Sequence, residues 1–270
     1  MPELPEVEST VSALRSSLIG KEIRSLDVMW ERMVLPLKTR NFSNKIKGKR
    51  IVDVRRRAKY ILLQLSGNDN AGFIVIHLRM SGRIRVEKVS IARDPYDRVC
   101  IAFSKGSELR FRDTRKFGRI TWYSNKQLEI LDSRLGNEPL SESFTEKDFS
   151  KIILSKNRGM KALLLDQSII AGLGNIYVDE SLWAAKISPN RVSSTLKSKE
   201  LKSLYLSIRR ILKKAIEANG TDFGDGVVHE GKFVTKVYGR GGMSCMRCRT
   251  KLVKMKIAGR GTVMCMKCQK

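Results

Sequence analysis

The feature that most restricts the fold of this 270-residue chain is a set of four cysteines near its C-terminus. They form two pairs in the spacing C-x2-C-x16-C-x2-C, and they are Cys245, Cys248, Cys265 and Cys268. The two thiolates of a pair can reach one metal ion, and four thiolates make a closed tetrahedral zinc site. Two disulfide bonds are the alternative, but they are rare inside cells. The spacing therefore predicts a small finger that holds one structural zinc ion.

The N-terminus lacks the composition of a secretory signal, because acidic residues stand where such a signal needs basic and then apolar ones. No apolar run reaches the length of a membrane span. We therefore expect a cytoplasmic protein without a membrane partner. The fifth cysteine, Cys100, lies in an apolar strand pattern, and we expect it to be an unreactive core thiol.

Positive charge is spread over the whole chain, whose formal net charge is +26. Residues 1–140 contain 28 basic and 16 acidic residues, and residues 141–270 contain 25 and 11. A basic tail on a neutral body is therefore excluded, and both halves are expected to bind a polyanion. Nucleic acid is favoured over a membrane surface. A charge that serves solubility alone remains the alternative.

Hydrophobic periodicity predicts a β-rich first part and a helical second part. Residues 21–125 alternate as strands do, and one hairpin turns at Lys105 and Gly106. Helical patterns follow at 146–155, 160–168, 176–186 and 197–218. The predicted fold class is therefore α+β multidomain. Its predicted parts are an N-terminal domain (1–135), a polar linker (136–150), a helical domain (151–240) and the zinc finger (241–270).

The opening residues MPELPEVE combine two prolines with three glutamates. One interpretation is helix capping, because Pro5 suits a first helical turn and Glu6 would lie near the positive end of the helix dipole. Apolar residues then recur with a helical period as far as Gly20. Pro2 and Glu3 precede that helix, so capping leaves them unexplained.

The second interpretation is chemical. Cells generally remove Met1 before a small residue, which would expose the secondary amine of Pro2. An α-amino group has a pKa of about 8 against about 10.4 for lysine, so at pH 7 it is more often the neutral nucleophile. Its adduct with an aldehyde is an iminium whose charge persists and permits elimination. Glu3, one residue away, is placed to supply or remove a proton.

Six motifs occur in order along the whole chain: PELPEVE, RRRAKY, HLRMSG, DTRKFG, LDQSIIAGLGNIYVDE and the four-cysteine finger. Together they resemble the formamidopyrimidine-DNA glycosylase family of bifunctional base-excision repair enzymes for oxidised purines. The resemblance implies an N-terminal antiparallel β-sandwich that carries the first helix, a helix–two-turns–helix domain and a zinc finger, with DNA across the cleft.

The resemblance also implies an activity and its setting. The expected protein is a DNA-formamidopyrimidine glycosylase with class I AP lyase activity. It would flip out 8-oxoguanine or a formamidopyrimidine, remove it through a Schiff base, and cut the strand by β,δ-elimination. Its partner would be double-stranded DNA with an oxidised base or an abasic site. We expect a monomer associated with the nucleoid of a prokaryote.

Five residues receive catalytic or phosphate-binding roles from the resemblance. Pro2 would be the Schiff-base nucleophile at C1′, and Glu3 the acid that assists departure of the base. Lys59 would contact phosphate and donate a proton in β-elimination, although its residue type alone indicates a solvated strand position. Asn175 follows AGLG at a predicted helix start, where backbone and side-chain amides can bind a phosphate. Arg260 would clamp the same phosphate region and assist δ-elimination.

A second group of residues would handle the duplex itself. A base must leave the stack before it is attacked, which leaves a hole and an orphaned partner. Met80 and Phe117 would wedge into the stack, and Arg115 would offer donors to the orphaned base. Without the resemblance, Met80 and Phe117 would be interpreted as core residues. Further DNA contacts are implied for His77, Lys156 and Lys161.

Three positions depart from the family pattern. Thr114 replaces a usual proline in DTRKFG, and Tyr96 stands where many members have a DNA-contacting histidine. The Tyr96 hydroxyl could make that bond instead. The segment 219–240 differs from the usual loop that covers a flipped 8-oxoguanine. Preference among 8-oxoguanine, formamidopyrimidines and further-oxidised purines therefore stays open.

Two other functions remain as alternatives. The sister enzyme, endonuclease VIII, removes oxidised pyrimidines, but Leu4 and the separation of Met80 from Arg115 and Phe117 favour the purine enzyme. A non-catalytic damaged-DNA-binding protein would keep the basic surface and the finger. The intact first motif and Lys59 argue against it.

Overall fold

The computed structural model describes residues 1–67, 71–222 and 231–270 of the chain. Its contacts form two compact units. The first unit consists of Met1–Pro2 and Val7–Ser133, and the second of Glu3–Glu6 and Arg134–Lys270. Glu3 and Glu6 therefore belong with the second half of the chain, although they lie near its start.

A β-rich first part is followed by a helical second part, as predicted. The α-helices are α1 (Leu4–Leu18), α2 (Thr39–Ile46), α3 (Asn125–Ser133), α4 (Glu146–Leu154), α5 (Met160–Leu164), α6 (Asn175–Ala185) and α7 (Ser198–Glu217). The strands are β1 (Ile23–Val28), β2 (Ile51–Arg57), β3 (Tyr60–Leu65), β4 (Phe73–His77), β5 (Arg83–Lys88), β6 (Asp97–Phe103), β7 (Ser107–Arg112), β8 (Arg119–Tyr123), β9 (Val253–Ile257) and β10 (Arg260–Met264). Of the four helices predicted in the second half, only that at 160–168 ends clearly early. This helix ends early because Ser168 N and Ser168 Oγ donate hydrogen bonds to the Asp166 carboxylate, which closes a turn in place of a further helical turn.

The first unit is a sandwich of two antiparallel four-stranded sheets, in the orders β1-β6-β7-β5 and β2-β3-β4-β8. One apolar cluster fills its core, and the helical-period residues of α1 (Val7, Val11, Leu14 and Leu18) belong to it. The hairpin β6–β7 turns at Lys105 and Gly106, both with positive φ, as predicted. The sequence analysis did not predict α2, whose Phe42 and Ile46 are buried one helical turn apart.

The second unit is built around α6 and the 20-residue α7, with α4 and α5 packed beside them. Its core includes Leu4 from the first motif. The start of the predicted linker is fixed in this unit, because Gly136 N donates to Gln167 O at 2.8 Å and Asn137 pairs with Ile170. The hairpin β9–β10 and the four cysteines form the C-terminal finger around a small apolar cluster. None of the described helices is both long and apolar enough to cross a membrane.

Candidate functional site

The Glu3 carboxylate caps a helix that lies far away in the sequence. Its Oε1 accepts a hydrogen bond from Ile176 N at 3.0 Å, and its Oε2 accepts one from Tyr177 N at 3.4 Å. The side chain is buried. The N-terminus of α6 carries partial positive charge, so it stabilises the carboxylate and fixes its direction. Because these two amides donate to Glu3, they are not part of the predicted phosphate site at the start of α6.

Glycines in the AGLG motif allow this approach. A Cβ at Gly174 would lie 2.4 Å from the Glu3 Cδ, and one at Gly172 would lie 2.7 Å from the Leu4 Cδ1. Gly172 also has a φ of +93° and accepts a hydrogen bond from Leu4 N at 3.0 Å. The motif therefore closes around Glu3 and Leu4, a role that the sequence analysis missed.

Glu6 holds the backbone of Glu3. Its Oε2 accepts from Glu3 N at 2.8 Å, while its Oε1 accepts from Tyr177 Oη at 2.5 Å and Thr221 N at 2.9 Å. Burial, followed by the charge of Glu3, raises the pKa of Glu6. A glutamate that binds the N-cap amide three residues earlier is one half of a capping box. The capping interpretation is therefore confirmed for Glu6, while the Glu3 carboxylate points to α6 instead.

Pro2, Lys59 and His77 belong to the first unit. Pro2 and Lys59 are both buried, so the solvated position that its residue type indicated for Lys59 is wrong. Lys59 occupies the turn between β2 and β3, where Ala58 has a φ of +51°. Tyr60 begins β3 directly opposite His77 at the end of β4. Lys59 and His77 thus lie at the same end of one sheet.

His77 is a neutral hydrogen-bond donor. Its Nδ1 accepts from Arg79 N at 3.0 Å, so the ring proton resides on Nε2. Burial, followed by the positive charges of Arg79 and Lys59, lowers the pKa of His77 to about 3. The ring also packs edge-on against Tyr60, with centroids 4.7 Å apart. This arrangement leaves Nε2–H as the group that can serve a phosphate.

The proposed wedge residues are exposed rather than packed in the core. Met80 is 39% exposed and Phe117 is 49% exposed, so the core interpretation of both residues is wrong. The Arg115 guanidinium lies over the Phe117 ring, 4.9 Å from its centroid. Tyr96 is 43% exposed, with Arg98 and Arg112 at 5.3 and 5.1 Å from its ring centroid. A flat or flexible side chain beside a cation suits contact with nucleic acid.

Asn175 and Arg260 come together at the finger hairpin. Asn175 Nδ2 donates to Gly261 O at 2.9 Å, and Gly261 directly follows Arg260. Arg260 is exposed after a turn in which Ala258 and Gly259 both have positive φ. The hydrogen bond therefore joins Asn175 to the residue next to Arg260.

The two predicted lysine contacts of the second unit differ in position. Lys156 is exposed just beyond α4. Lys161 is fully buried, and its Nζ donates to Asp179 Oδ1 at 2.5 Å and to Gly261 O at 3.3 Å. A direct DNA contact by Lys161 is therefore not available, because its ammonium is enclosed. It supports the hairpin that carries Arg260.

Two acidic residues of α6 were missed by the sequence analysis. Asp179 Oδ2 accepts from Val263 N in β10 at 3.3 Å. The Glu180 carboxylate accepts backbone hydrogen bonds from three successive residues, Lys236, Val237 and Tyr238. Two adjacent acids inside an otherwise buried helix were the signal that could have revealed them. Within the divergent segment 219–240, residues 223–230 lie outside the described residues.

The four finger thiols converge on one point. Their Sγ atoms all lie within 4.8 Å of one another, and none forms a disulfide bond. A tetrahedral zinc site with Zn–S bonds of about 2.3 Å separates its sulfurs by about 3.8 Å. The cluster therefore fits a structural zinc ion. Cys100 is buried apart from this cluster, and burial raises the pKa of its thiol to about 11.

The finger is fastened to the C-terminal end of α6. The Arg247 guanidinium lies 4.2 Å from the Trp183 ring centroid and donates to Trp183 O at 3.1 Å. Gln269 Nε2 donates to Ile187 O at 3.0 Å, just beyond the helix. A residue adjacent to each cysteine pair, Arg247 or Gln269, therefore contacts this end of α6.

Three family models match the chain in order. They describe the formamidopyrimidine-DNA glycosylase N-terminal domain (residues 1–120), the formamidopyrimidine-DNA glycosylase H2TH domain (135–225) and a zinc finger found in FPG and IleRS (244–270). The formamidopyrimidine-DNA glycosylase of Protochlamydia amoebophila is 41% identical over 265 residues, which cover 94% of either chain.

Solved structures of DNA complexes have the same fold. Wild-type Lactococcus lactis Fpg (MutM) with DNA containing N7-benzyl-Fapy-dG is 36% identical, with a TM-score of 0.92 and full coverage of both chains. MutM with DNA containing carbocyclic 8-oxo-G is also 36% identical, with a TM-score of 0.90 and full coverage. The predicted sandwich, helical domain and finger are confirmed. The chain belongs to the formamidopyrimidine-DNA glycosylase family of DNA repair enzymes.

Proposed function

We propose that this chain is a bifunctional glycosylase and class I AP lyase that removes oxidised purines from double-stranded DNA. The observation that carries the proposal is the Glu3 carboxylate, fixed by two amides of α6 one residue after Pro2. The solved relatives support the substrate class, since they hold DNA with a formamidopyrimidine or an 8-oxoguanine analogue. Removal of Met1 would make Pro2 the N-terminal amine.

The reaction would begin at C1′ of the damaged nucleotide. The lone pair of the Pro2 nitrogen forms a bond to C1′, and the bond from C1′ to the base breaks, so the base leaves with that electron pair. The nitrogen then loses its proton, and its lone pair opens the C1′–O4′ bond. The base and O4′ each take up one proton, of which the nitrogen releases one through Glu3 and the solvent supplies the other. The product is an iminium. Loss of a C2′ proton then expels the 3′ phosphate, and δ-elimination expels the 5′ phosphate.

Glu3 would move protons between these steps. The α6 amides hold its carboxylate in place, where it would accept the proton that Pro2 releases on forming its bond to C1′. The resulting carboxylic acid would deliver that proton to the sugar or the departing base. Glu6 would keep the Glu3 backbone in place through its bond to Glu3 N. Lys59 would supply the proton required in β-elimination.

The remaining residues would bind and open the duplex. Neutral His77 would donate from Nε2 to a phosphate, and Asn175 and Arg260 would bind another phosphate together. Met80 and Phe117 would fill the space of the extruded base. Tyr96 and Lys156 would add contacts to the DNA backbone, and Arg115 would bind the orphaned base.

One zinc ion per chain would cross-link the two cysteine pairs. The enzyme would act as a monomer in the cytoplasm, at the nucleoid.

Borohydride trapping with a panel of lesions tests the proposal. Glu3→Gln keeps the shape but carries no proton, so base excision should collapse while cleavage of a ready-made abasic site largely survives. Retaining Met1 should abolish both reactions and the trapped adduct, yet leave lesion binding. Glu8→Gln changes a nearby carboxylate that pairs with Arg56, and it should behave like the wild type.

Each alternative has its own outcome in these assays. A trapped adduct with Met1 retained would identify a lysine nucleophile, with Lys59 the first candidate. Equal loss of both reactions in Glu3→Gln would make Glu3 a structural support. Preference for oxidised pyrimidines in the panel would indicate the endonuclease VIII type of activity. Lesion binding by the wild type without any adduct would indicate a non-catalytic binding protein.

A further inference from the structure

Two exposed segments of the first unit rest on one buried support. The first is the turn 78–82, which carries Met80 and is closed by a hydrogen bond from Gly82 N to Leu78 O at 3.0 Å. The second is the loop 114–118, which carries Arg115 and Phe117 and follows β7. They are more than thirty residues apart in the sequence, so nothing in the local chain joins them. Their common support is the end of β7.

The Asp113 carboxylate is the polar part of this support. Asp113 is fully buried, and its Oδ1 accepts from Ser81 Oγ at 2.5 Å and from Arg115 N at 3.1 Å. Its Oδ2 accepts from Gly118 N at 2.7 Å. Ser81 Oγ in turn accepts from Arg115 N at 3.3 Å. The carboxylate thus receives bonds from the turn 78–82 and from both ends of the loop 114–118.

The Phe111 ring is the apolar part of the support. A Cβ at Gly82 would lie 2.6 Å from Phe111 Cε2, and a Cβ at Gly118 would lie 2.4 Å from Phe111 Cζ. Both distances are too short for a real side chain, so only glycine fits at either position. The two segments therefore touch neighbouring atoms of one ring, and a shift of either segment disturbs that shared contact.

We propose that Ser81 and Asp113 are positioning residues that make the turn 78–82 and the loop 114–118 act as one unit. What this unit does rests on the proposed function: Met80 and Phe117 insert into the base stack while Arg115 binds the orphaned base. The coupling of the two segments does not rest on it. The Ser81 hydroxyl is the side-chain link from the turn to the carboxylate. Its loss leaves the two bonds from the loop 114–118 to Asp113 in place and removes the polar link between the two segments.

Ser81→Ala tests the coupling because it removes a single oxygen. Amide hydrogen exchange followed by mass spectrometry should become faster in the loop 114–118 as well as in the turn 78–82. Ser81→Thr restores the hydroxyl and should restore slow exchange in both segments. Ser90→Ala, an exposed serine, is the matched control and should change neither. Faster exchange confined to the turn 78–82 would overturn the inference, whatever reaction the protein catalyses.

Kinetics test the use of the coupled unit. Excision of a lesion from intact duplex should fall about tenfold in Ser81→Ala, the effect of losing one hydrogen bond to a charged group. Discrimination over the base opposite the lesion should weaken with it. Cleavage at a ready-made abasic site needs no base to be extruded, so its rate should stay close to that of the wild type. Ser81→Thr should recover both lost properties.

The outcomes separate this inference from the proposed function. A wild-type protein that yields no borohydride adduct refutes the proposed function, while the exchange experiment still decides the coupling. Normal excision and discrimination in Ser81→Ala would refute the positioning role even if the wild type is an active glycosylase. A uniform loss of excision and abasic-site cleavage would make Ser81 a general structural residue instead.

Discussion

The Lys161 ammonium donates to the Asp179 carboxylate at 2.5 Å, and both side chains are fully buried. Burial lowers the pKa of Lys161 and raises the pKa of Asp179, while their mutual attraction opposes both shifts. The same two side chains bind Gly261 O and Val263 N in β10. The pair therefore fixes the hairpin whose second strand begins at Arg260.

Breaking this pair should be costly. Lys161→Met leaves a buried carboxylate without its partner, and the free energy of unfolding should fall by about 3–5 kcal/mol. The double variant Lys161→Met with Asp179→Leu should recover much of that loss. Arg158→Met breaks a partly exposed ion pair with Asp166 and should cost no more than about 1 kcal/mol. Urea denaturation measures all three, and equal losses for the two single variants would contradict the assignment.

Gly174→Ala should displace Glu3 from α6. The added Cβ would lie 2.4 Å from the Glu3 Cδ, so the carboxylate must move away from the Ile176 and Tyr177 amides. Base excision should fall at least as far as in Glu3→Gln. Gly159→Ala is the control, because its Cβ would meet nothing nearer than 3.7 Å. Single-turnover excision rates compare the two variants, and full activity in Gly174→Ala would show that Glu3 does not need its cap.

His77 should make stability depend on pH. Its folded-state pKa is about 3, below the ordinary value of 6.5, because burial and nearby cations disfavour its charged form. The free energy of unfolding is therefore unaffected by His77 titration above pH 6.5. It decreases as the pH falls from 6.5 toward 3, by up to about 1.4 kcal/mol per pH unit. His77→Gln cannot titrate, so its stability should fall less steeply over this range. NMR of the His77 ring should show no titration between pH 5 and 8.

Removing one finger thiolate should release the metal. Cys248→Ser or Cys265→Ser should lower the zinc content and weaken DNA binding, because the hairpin that carries Arg260 loses its cross-link. Cys100→Ala alters a thiol outside the cluster and should keep a full complement of zinc. Metal analysis and DNA titration measure both effects. Retained zinc with full binding in either serine variant would refute the four-thiolate site.

Binding to undamaged duplex should depend strongly on salt. The net charge of +26 is shared by both halves of the chain, so many lysines and arginines face a polyanion. If about five phosphates are neutralised, a plot of log affinity against log salt should have a slope of about −4 to −5. Titrations at several salt concentrations measure this slope. A slope near zero would contradict electrostatic binding.

Local sequence patterns predicted the parts of the structure that depend on near neighbours. The four-cysteine cluster, the hairpin at Lys105 and Gly106 and the helices of the second half are confirmed, since spacing and periodicity determine them. The helix α3 escaped prediction because its contacts lie on the outer face of a sheet, where Leu128 and Leu131 pack against it. The domain boundaries and the roles of the site residues stay predictions.

Local sequence patterns could not predict contacts between residues that are distant in the sequence. Glu3 and Ile176 are 173 residues apart, so a helix start after AGLG gave no reason to expect an intramolecular carboxylate instead of a phosphate. Nothing in the sequence distinguishes Lys161 from the other lysines of this basic protein. Its burial follows from its ion pair with Asp179, which lies on another helix. Exposure of Met80 and Phe117 likewise depends on the shape of the whole sandwich rather than on residue type.

The length of α6 has a consequence for how the family can vary. One end of this 11-residue helix holds Glu3, its middle holds β10 and the segment 236–238, and its other end meets the finger. Adding one residue to an α-helix turns everything beyond it by about 100° and moves it by about 1.5 Å. An insertion or deletion within α6 would therefore put Glu3 and the hairpin that carries Arg260 out of register at once. Natural variation in length should be confined to the connections outside this helix.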